Sequence, residues 1–320
     1  MLGNYLAIFL VFLAFEYAYY IVAKRVRIVD RPHHQSSHRG VVVRGGGIVF
    51  FIAYFCWSLS NGFAWYGSLI GLTLLAIVSF VDDIHSLSPS IRLICQFLAV
   101  VMLFYHTGLI QAHWHVIMIL VIVCVGAINI YNFMDGINGM TGGYSLIVAS
   151  ALLYVNQNIV HFADESLLYF VIIAILVFNL FNFRKQALCF AGDVGSLSIG
   201  YILVYLVLRL ALKGLSMAWI AMLAVYLVEG GMTILHRLLL RENLMKPHKK
   251  HAYQIMVNEL KMPHLVVSGI YMGLQAVCCV WYIACPGYLT LFLEAGILVT
   301  MYMMFMKKYY HLHVRKKNES

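Results

Sequence analysis

Apolar runs, each near the ~20 residues that a bilayer-crossing helix needs, recur along the whole of this chain. They fall at about 4–23, 45–63, 65–81, 91–108, 114–131, 141–160, 166–182, 197–213, 217–235, 264–284 and 287–306. Lipid leaves no partner for a free backbone group, so each run must pair its own N–H and C=O groups as a helix. The expected fold is therefore all-α: one polytopic integral membrane domain over 1–320 with about eleven transmembrane helices. Only 11% of residues are charged, against the ~25% usual in soluble domains. The polar stretches at about 24–44 and 236–263 are too short for a core of their own. The first apolar run lacks a basic n-region and a small-residue cleavage site, so it reads as a retained helix rather than a signal peptide. The seven cysteines mostly sit inside apolar runs and read as small core residues.

The basic residues give an orientation. Counting loops alternately, one side holds 20 of the 22 lysines and arginines, and the other only Arg209 and Lys213. Cytoplasmic loops carry the excess of positive charge, so the C-terminus is expected inside and the N-terminus outside. The net charge of +9 thus reports topology rather than affinity for nucleic acid. Asp164 and Glu165 fall in an external loop and read as solvated. Glu16 and Glu294 lie inside spans, where a hydrogen bond from a neighbouring helix is expected.

Four polar clusters interrupt the apolar pattern, all on the expected cytoplasmic side. A carboxylate near the bilayer centre costs about 2.5–3.5 kcal/mol on the lenient scale, so acids kept beside helix ends point to use. Asp82 and Asp83 end the third span, in F-V-D-D-I-H-S-L-S-P-S-I-R. Adjacent carboxylates suit a general base, a cation site or both, and Ser88-Pro89 reads as the next helix start. Asn129, Asn132 and Asp135 follow at i, i+3 and i+6, on one side of a helix end. Gly136, Gly139, Gly142 and Gly143 come next and are expected to let the chain turn and a ligand approach backbone amides. Asp193, in G-D-V-G-S, is expected just before the eighth helix, with Ser196 as its cap. Free amides there attract phosphate and a lone Asp suits Mg²⁺. Arg44-Gly45-Gly46-Gly47 opens the second helix as another anion site. The last loop, H-R-L-L-L-R-E-N-L-M-K-P-H-K-K-H-A-Y-Q, reads either as a lipid-facing basic loop or as a diphosphate clamp.

Taken together, D-R-P-H-H-Q-S-S-H…R-G-G-G, F-V-D-D-I…S…R-L-I-C-Q, N-I-Y-N-F-M-D-G-I-N-G-M, A-G-D-V-G-S-L-S-I-G and H-K-K-H-A-Y-Q resemble the polyprenyl-phosphate N-acetylhexosamine-1-phosphate transferases. The motifs stand in family order over about 30–254. The resemblance implies a multi-pass enzyme of the bacterial inner membrane with a cytoplasmic active site. A polyprenyl phosphate oxygen attacks the β-phosphate of a UDP-N-acetylhexosamine, and UMP leaves. It implies Mg²⁺, or Mn²⁺ in its place, on Asp193, with Asp82 and Asp83 as base or metal partner. Asn129, Asn132, Asp135 and Asn138 match the nucleotide-side motif. His248, Lys249 and His251 match the last loop, with Arg44 and Ser196 as further substrate contacts. A homodimer is compatible with it; a nucleic-acid partner is not expected.

Three departures bear on the donor. Asn138 replaces the second Asp of D-G-I-D-G, His251-Ala252-Tyr253-Gln254 replaces H-x-H-H, and Glu229 stands where Asp is frequent. The resemblance is thereby to the subgroup that starts O-antigen, rather than to the phospho-MurNAc-pentapeptide translocase. A flippase or transporter of lipid-linked sugars is the reading from another class. Transporters place ionisable groups near the midplane within repeats. Here the acids sit at helix ends and no repeat is visible.

Overall fold

The computed structural model describes residues 2–30, 40–63, 65–243 and 248–315. Most of the first polar loop, 31–39, and Lys246 of the last lie outside the described residues. The chain folds as α1 (Leu2–Arg25), α2 (Ile48–Ser60), α3 (Tyr66–Ile84), α4 (Pro89–Thr107), α5 (Trp114–Met134), α6 (Met140–Asn158), α7 (Glu165–Asn182), α8 (Gly192–Lys213), α9 (Ala224–Leu239), α10 (Ala252–Asn258), α11 (His264–Ala284) and α12 (Tyr288–Arg315). Two-residue strands β1 (Val29–Asp30) and β2 (Val42–Val43) pair antiparallel, and Val43 also bridges to Cys189. This small ladder sets Arg44 beside the loop that enters α8.

Every apolar run holds a helix, and among the described residues nine helices are long and apolar enough to cross a membrane. Two of the eleven expected spans fall outside that set. The helix in 45–63 is only 13 residues long, because residues 44–47 are drawn into contacts with the entry to α8. In 141–160, α6 opens on Met-Thr-Gly-Gly and closes on Asn-Gln-Asn. The short α10 was not expected from the sequence.

α8 is the axis of the bundle. Of its most apolar window, 94% is buried, and α2, α3, α5 and α6 pack around it. Outer helices instead turn large side chains outward, such as Ile122, Val280 and Phe292, as lipid allows. Close approach at the axis needs small residues. Gly47, just before α2, meets Gly195 of α8 backbone to backbone, and a Cβ on Gly47 would collide with Gly195 Cα. Gly47→Ala is expected to lower stability by about 1–3 kcal/mol, the range for overpacking. Thermal unfolding in detergent measures it; an unchanged midpoint would mean that α2 slides freely on α8.

The span 217–239 departs from a plain α-helix. Met217–Leu223 is a 3₁₀ helix before α9 begins. Gln275 of α11 compensates for the break. Its Nε2 donates to the carbonyls of Ala221 (3.4 Å) and Met222 (3.0 Å), and its Oε1 accepts from Val225 N (3.1 Å) and Tyr144 Oη (2.6 Å). A buried polar side chain thus replaces the backbone bonds that the irregular turn cannot make. The in-span acids divide. Glu16 accepts from the Cys189 thiol at 3.4 Å, a donor in the loop before α8 rather than on a neighbouring helix. Glu294 is buried with no hydrogen-bond partner on either oxygen among the described residues, so the expected bond is absent there.

Candidate active site

The third span ends in two carboxylates because α3 runs through them. Asp82 and Asp83 are its last acids, and the chain then turns at Ser88, which caps α4 with Pro89 in its first turn. Asp82 accepts from Leu87 N (2.6 Å) across that turn and from Arg92 Nη1 (2.8 Å) one turn into α4. Asp83 points the other way. Its oxygens accept from Asp193 N (2.9 Å) and Val194 N (3.0 Å), the opening amides of α8, and its side chain is 0% exposed.

Here the structure corrects three expectations. α8 starts at Gly192 (φ 71°) rather than after Ser196. Ser196 is therefore not its cap; the hydroxyl donates back to Gly192 O at 3.0 Å and accepts from Asn132 Nδ2 at 2.9 Å. The first amides of α8 are likewise not open to phosphate, because the Asp83 carboxylate occupies them. Gly46 and Gly47 also do not offer an anion site: their amides donate to Phe190 O (2.9 Å) and Ala191 O (3.1 Å).

Asp193 sits at the centre, with its side chain 15% exposed. Oδ1 accepts from Arg44 Nη2 (3.2 Å) and Asn132 Nδ2 (3.1 Å), and Oδ2 from Arg92 Nη1 (3.1 Å). Arg44 also pairs through Nε with Asp83 at 2.6 Å. These neighbouring carboxylates raise the Arg44 pKa against the opposing pull of burial. Tyr19 fixes the same segment by donating to Arg44 O at 2.7 Å. Three carboxylates thus face two guanidiniums, a formal excess of one acid over the bases.

The amide motif does not act as one face. Asn132 joins Asp193, but Asn129 exchanges two amide bonds with Gln96 (2.6 and 3.2 Å). Asp135 accepts from Thr141 Oγ1 at 2.7 Å. Burial and the nearby Asp193 push the Asp135 carboxyl up to about 6, against the Thr141 bond and Arg44. Asn138 ties a loop: Nδ2 donates to Arg184 O (2.9 Å) and Lys185 O (3.2 Å). The glycines serve packing rather than ligand approach. Tyr253 presses on Gly136, Phe183 on Gly139, Asn179 on Gly142 and Met272 on Gly143.

The last loop closes over α5. Tyr253 donates to Phe133 O at 2.9 Å, which brings His251 beside the end of α5. His248 stacks on His251 at 5.0 Å, and Lys249, half-buried, lies next to it. Burial, then His251, Arg237 and Lys250, push the His248 ring down to about 3, so it is a neutral donor rather than a cation. Arg237 and Lys250 are both paired to Glu242. The loop is therefore less a free basic clamp than its charge implies.

Arg92, Gln96 and Glu242 lie within motifs read from the sequence, but the sequence alone assigns them no role at the site. Arg92 and Gln96 stand four apart on α4, one helical face, and the Ser88-Pro89 turn could have placed that face opposite Asp82. Residues 65–211 match glycosyl transferase family 4, a span holding Asp82, Asp83, Arg92, Asn132 and Asp193. That match covers a little under half of the chain, which is thus similar to this family over its central helices. Among curated relatives, a probable undecaprenyl-phosphate N-acetylglucosaminyl 1-phosphate transferase of Bacillus subtilis is 26% identical over 72% of this chain and 70% of its own length. Undecaprenyl-phosphate alpha-N-acetylglucosaminyl 1-phosphate transferases of Yersinia pestis and Salmonella typhi are 28% and 29% identical. Those matches cover 63% and 65% of this chain, which spans only 60% and 62% of their lengths.

Proposed function

We propose that this protein transfers an N-acetylhexosamine 1-phosphate from a UDP-sugar to polyprenyl phosphate, leaving a polyprenyl-diphosphate sugar and UMP. The observation that carries the reading is the Asp193 centre. Carboxylates from two helices, two arginines and an amide meet at one end of the bundle, in a chain whose relatives are named for this transfer. N-acetylglucosamine is the leading donor on those names, and initiation of a surface glycan such as O-antigen follows from the last-loop pattern. The charge asymmetry supports eleven spans, with this end cytoplasmic in the bacterial inner membrane.

The donor set suits a divalent cation. Among the described residues no three acids, histidines or cysteines enclose a metal. Mg²⁺, however, is bound by one or two carboxylates plus substrate phosphates and waters, and the centre carries a formal excess of one acid over the bases. Asp193 would hold the ion, with Mn²⁺ able to replace it. When bound, it neutralises charge on the donor diphosphate and the departing UMP. Arg44 and Arg92, each about one-third exposed, present forked donors suited to phosphate oxygens. Asn132 orients the Asp193 carboxylate. Asp82 keeps 7% side-chain exposure against none for Asp83, so Asp82 is the acid able to take a proton from the lipid phosphate. Asp83 holds the start of α8.

The test is UMP release by purified protein with undecaprenyl phosphate, Mg²⁺ and a panel of UDP-N-acetylhexosamines. Release with one donor, lost on adding EDTA and restored by Mg²⁺, is expected. Silence across the panel from folded protein would favour the transporter reading.

A further inference from the structure

His251 is held from one side only. Its side chain is 2% exposed and its Nδ1 lies 2.8 Å from Glu229 Oε2, on α9. The other carboxylate oxygen, Oε1, accepts from Ala252 N at 2.6 Å. The remaining ring nitrogen, Nε2, is buried and has no hydrogen-bond partner among the described residues. The ring stands against His248, Tyr253 and Phe133, and Phe133 follows Asn132 directly. A carboxylate can only accept, so Nδ1 must carry the hydrogen and, in the neutral ring, Nε2 the lone pair.

We infer that Glu229 is a positioning residue: it fixes the His251 tautomer so that Nε2 meets a phosphate oxygen of a reactant. This rests on the transfer reading above. Nε2 accepts a hydrogen bond from the P–OH group of the lipid phosphate monoester, which orients that phosphate without moving its proton to the ring. No bond to phosphorus changes in that contact.

Glu229→Gln separates this role from plain packing. Ala252 N–H still needs an acceptor, so the amide oxygen faces it and the amide NH₂ faces His251. Nδ1 must then accept, and the hydrogen moves to Nε2. ¹⁵N-histidine NMR of the full-length protein in detergent reads the exchange directly, with the His251 signals identified by their loss in His251→Gln. Protonated Nδ1 is expected in the wild type and in Glu229→Asp, and protonated Nε2 in Glu229→Gln. In turnover assays Glu229→Gln should raise one KM by about tenfold, the scale of one hydrogen bond to a charged group. The rise is expected for undecaprenyl phosphate, the reactant that carries a P–OH group; a rise confined to the UDP-sugar overturns the inference. An unmoved tautomer in Glu229→Gln overturns the inference, as does a swapped tautomer with both KM values unchanged. A wild type that releases no UMP, while the tautomer swap occurs, sinks the transfer reading and keeps Glu229's hold on the ring.

Discussion

Asp193→Asn should reduce UMP release by about 10³-fold while the protein still inserts and melts near the wild-type temperature. A metal ion's stabilisation of transferring phosphate is worth several kcal/mol, and at about 1.4 kcal/mol per decade a loss near 4 kcal/mol gives that factor. The fold should survive because the opening amides of α8 are held by Asp83, not by Asp193. The asparagine oxygen can still accept from Arg44 and Asn132, as Asp193 Oδ1 does. Its NH₂ replaces the oxygen that accepts from Arg92, so two ion pairs are lost, the one to Arg44 leaving a hydrogen bond in its place. The centre also loses its formal excess of one acid, which removes its attraction for a divalent cation. Turnover is measured as UMP released per minute at saturating lipid phosphate, with Mg²⁺ varied. A variant within tenfold of the wild type would remove Asp193 from the chemistry and, with it, the assignment of the ion.

The fold class was legible because membrane insertion writes itself into sequence as long apolar runs, and each of the eleven runs holds a helix. Span ends were less legible. The start of α8 was read too late because Gly-Asp-Val-Gly looks like a loop until Asp83, far away in sequence, supplies an acceptor to its first amides. The same distance hid Asn129. Spacing put it with Asn132, but the Gln96 amide of another helix draws it away from Asp193. Acids at helix ends marked the right region, since their cost near lipid demands a reason. Their division of labour was not readable, because the roles of Asp82 and Asp83 depend on which direction each faces at the end of α3. Arg44 was read as an anion and substrate contact and Arg92 as topology, and only tertiary contact shows the two joined through the Asp193 carboxylate.

The adjacent carboxylates should respond differently to the same substitution. Asp83→Asn removes one of two acceptors serving the Asp193 and Val194 amides and breaks the 2.6 Å pair with Arg44. Losing one partner of a buried pair costs about 3–5 kcal/mol; Arg44 is one-third exposed, so the low end applies. With about 2–4 °C per kcal/mol for larger domains, the midpoint should fall by at least about 6 °C. Turnover should fall too, by about 10²-fold, because Asp193 is the second residue of α8 and an error of about 1 Å in its placement has that effect. Asp82→Asn keeps an oxygen for Leu87 N and loses a pair with Arg92 that is about as buried as the Asp83–Arg44 pair, but it leaves the opening amides of α8 held by Asp83. Its melting midpoint should therefore fall less than that of Asp83→Asn, yet it should lose at least as much activity, since its carboxylate is the one proposed to meet the lipid phosphate. Melting and turnover measured on both variants in one detergent decide the matter. Equal melting shifts would deny Asp83 its structural post at the start of α8. An active Asp82→Asn would move the proton acceptor elsewhere, with Asp135, held at about 6 by burial and Asp193, the next acid to test.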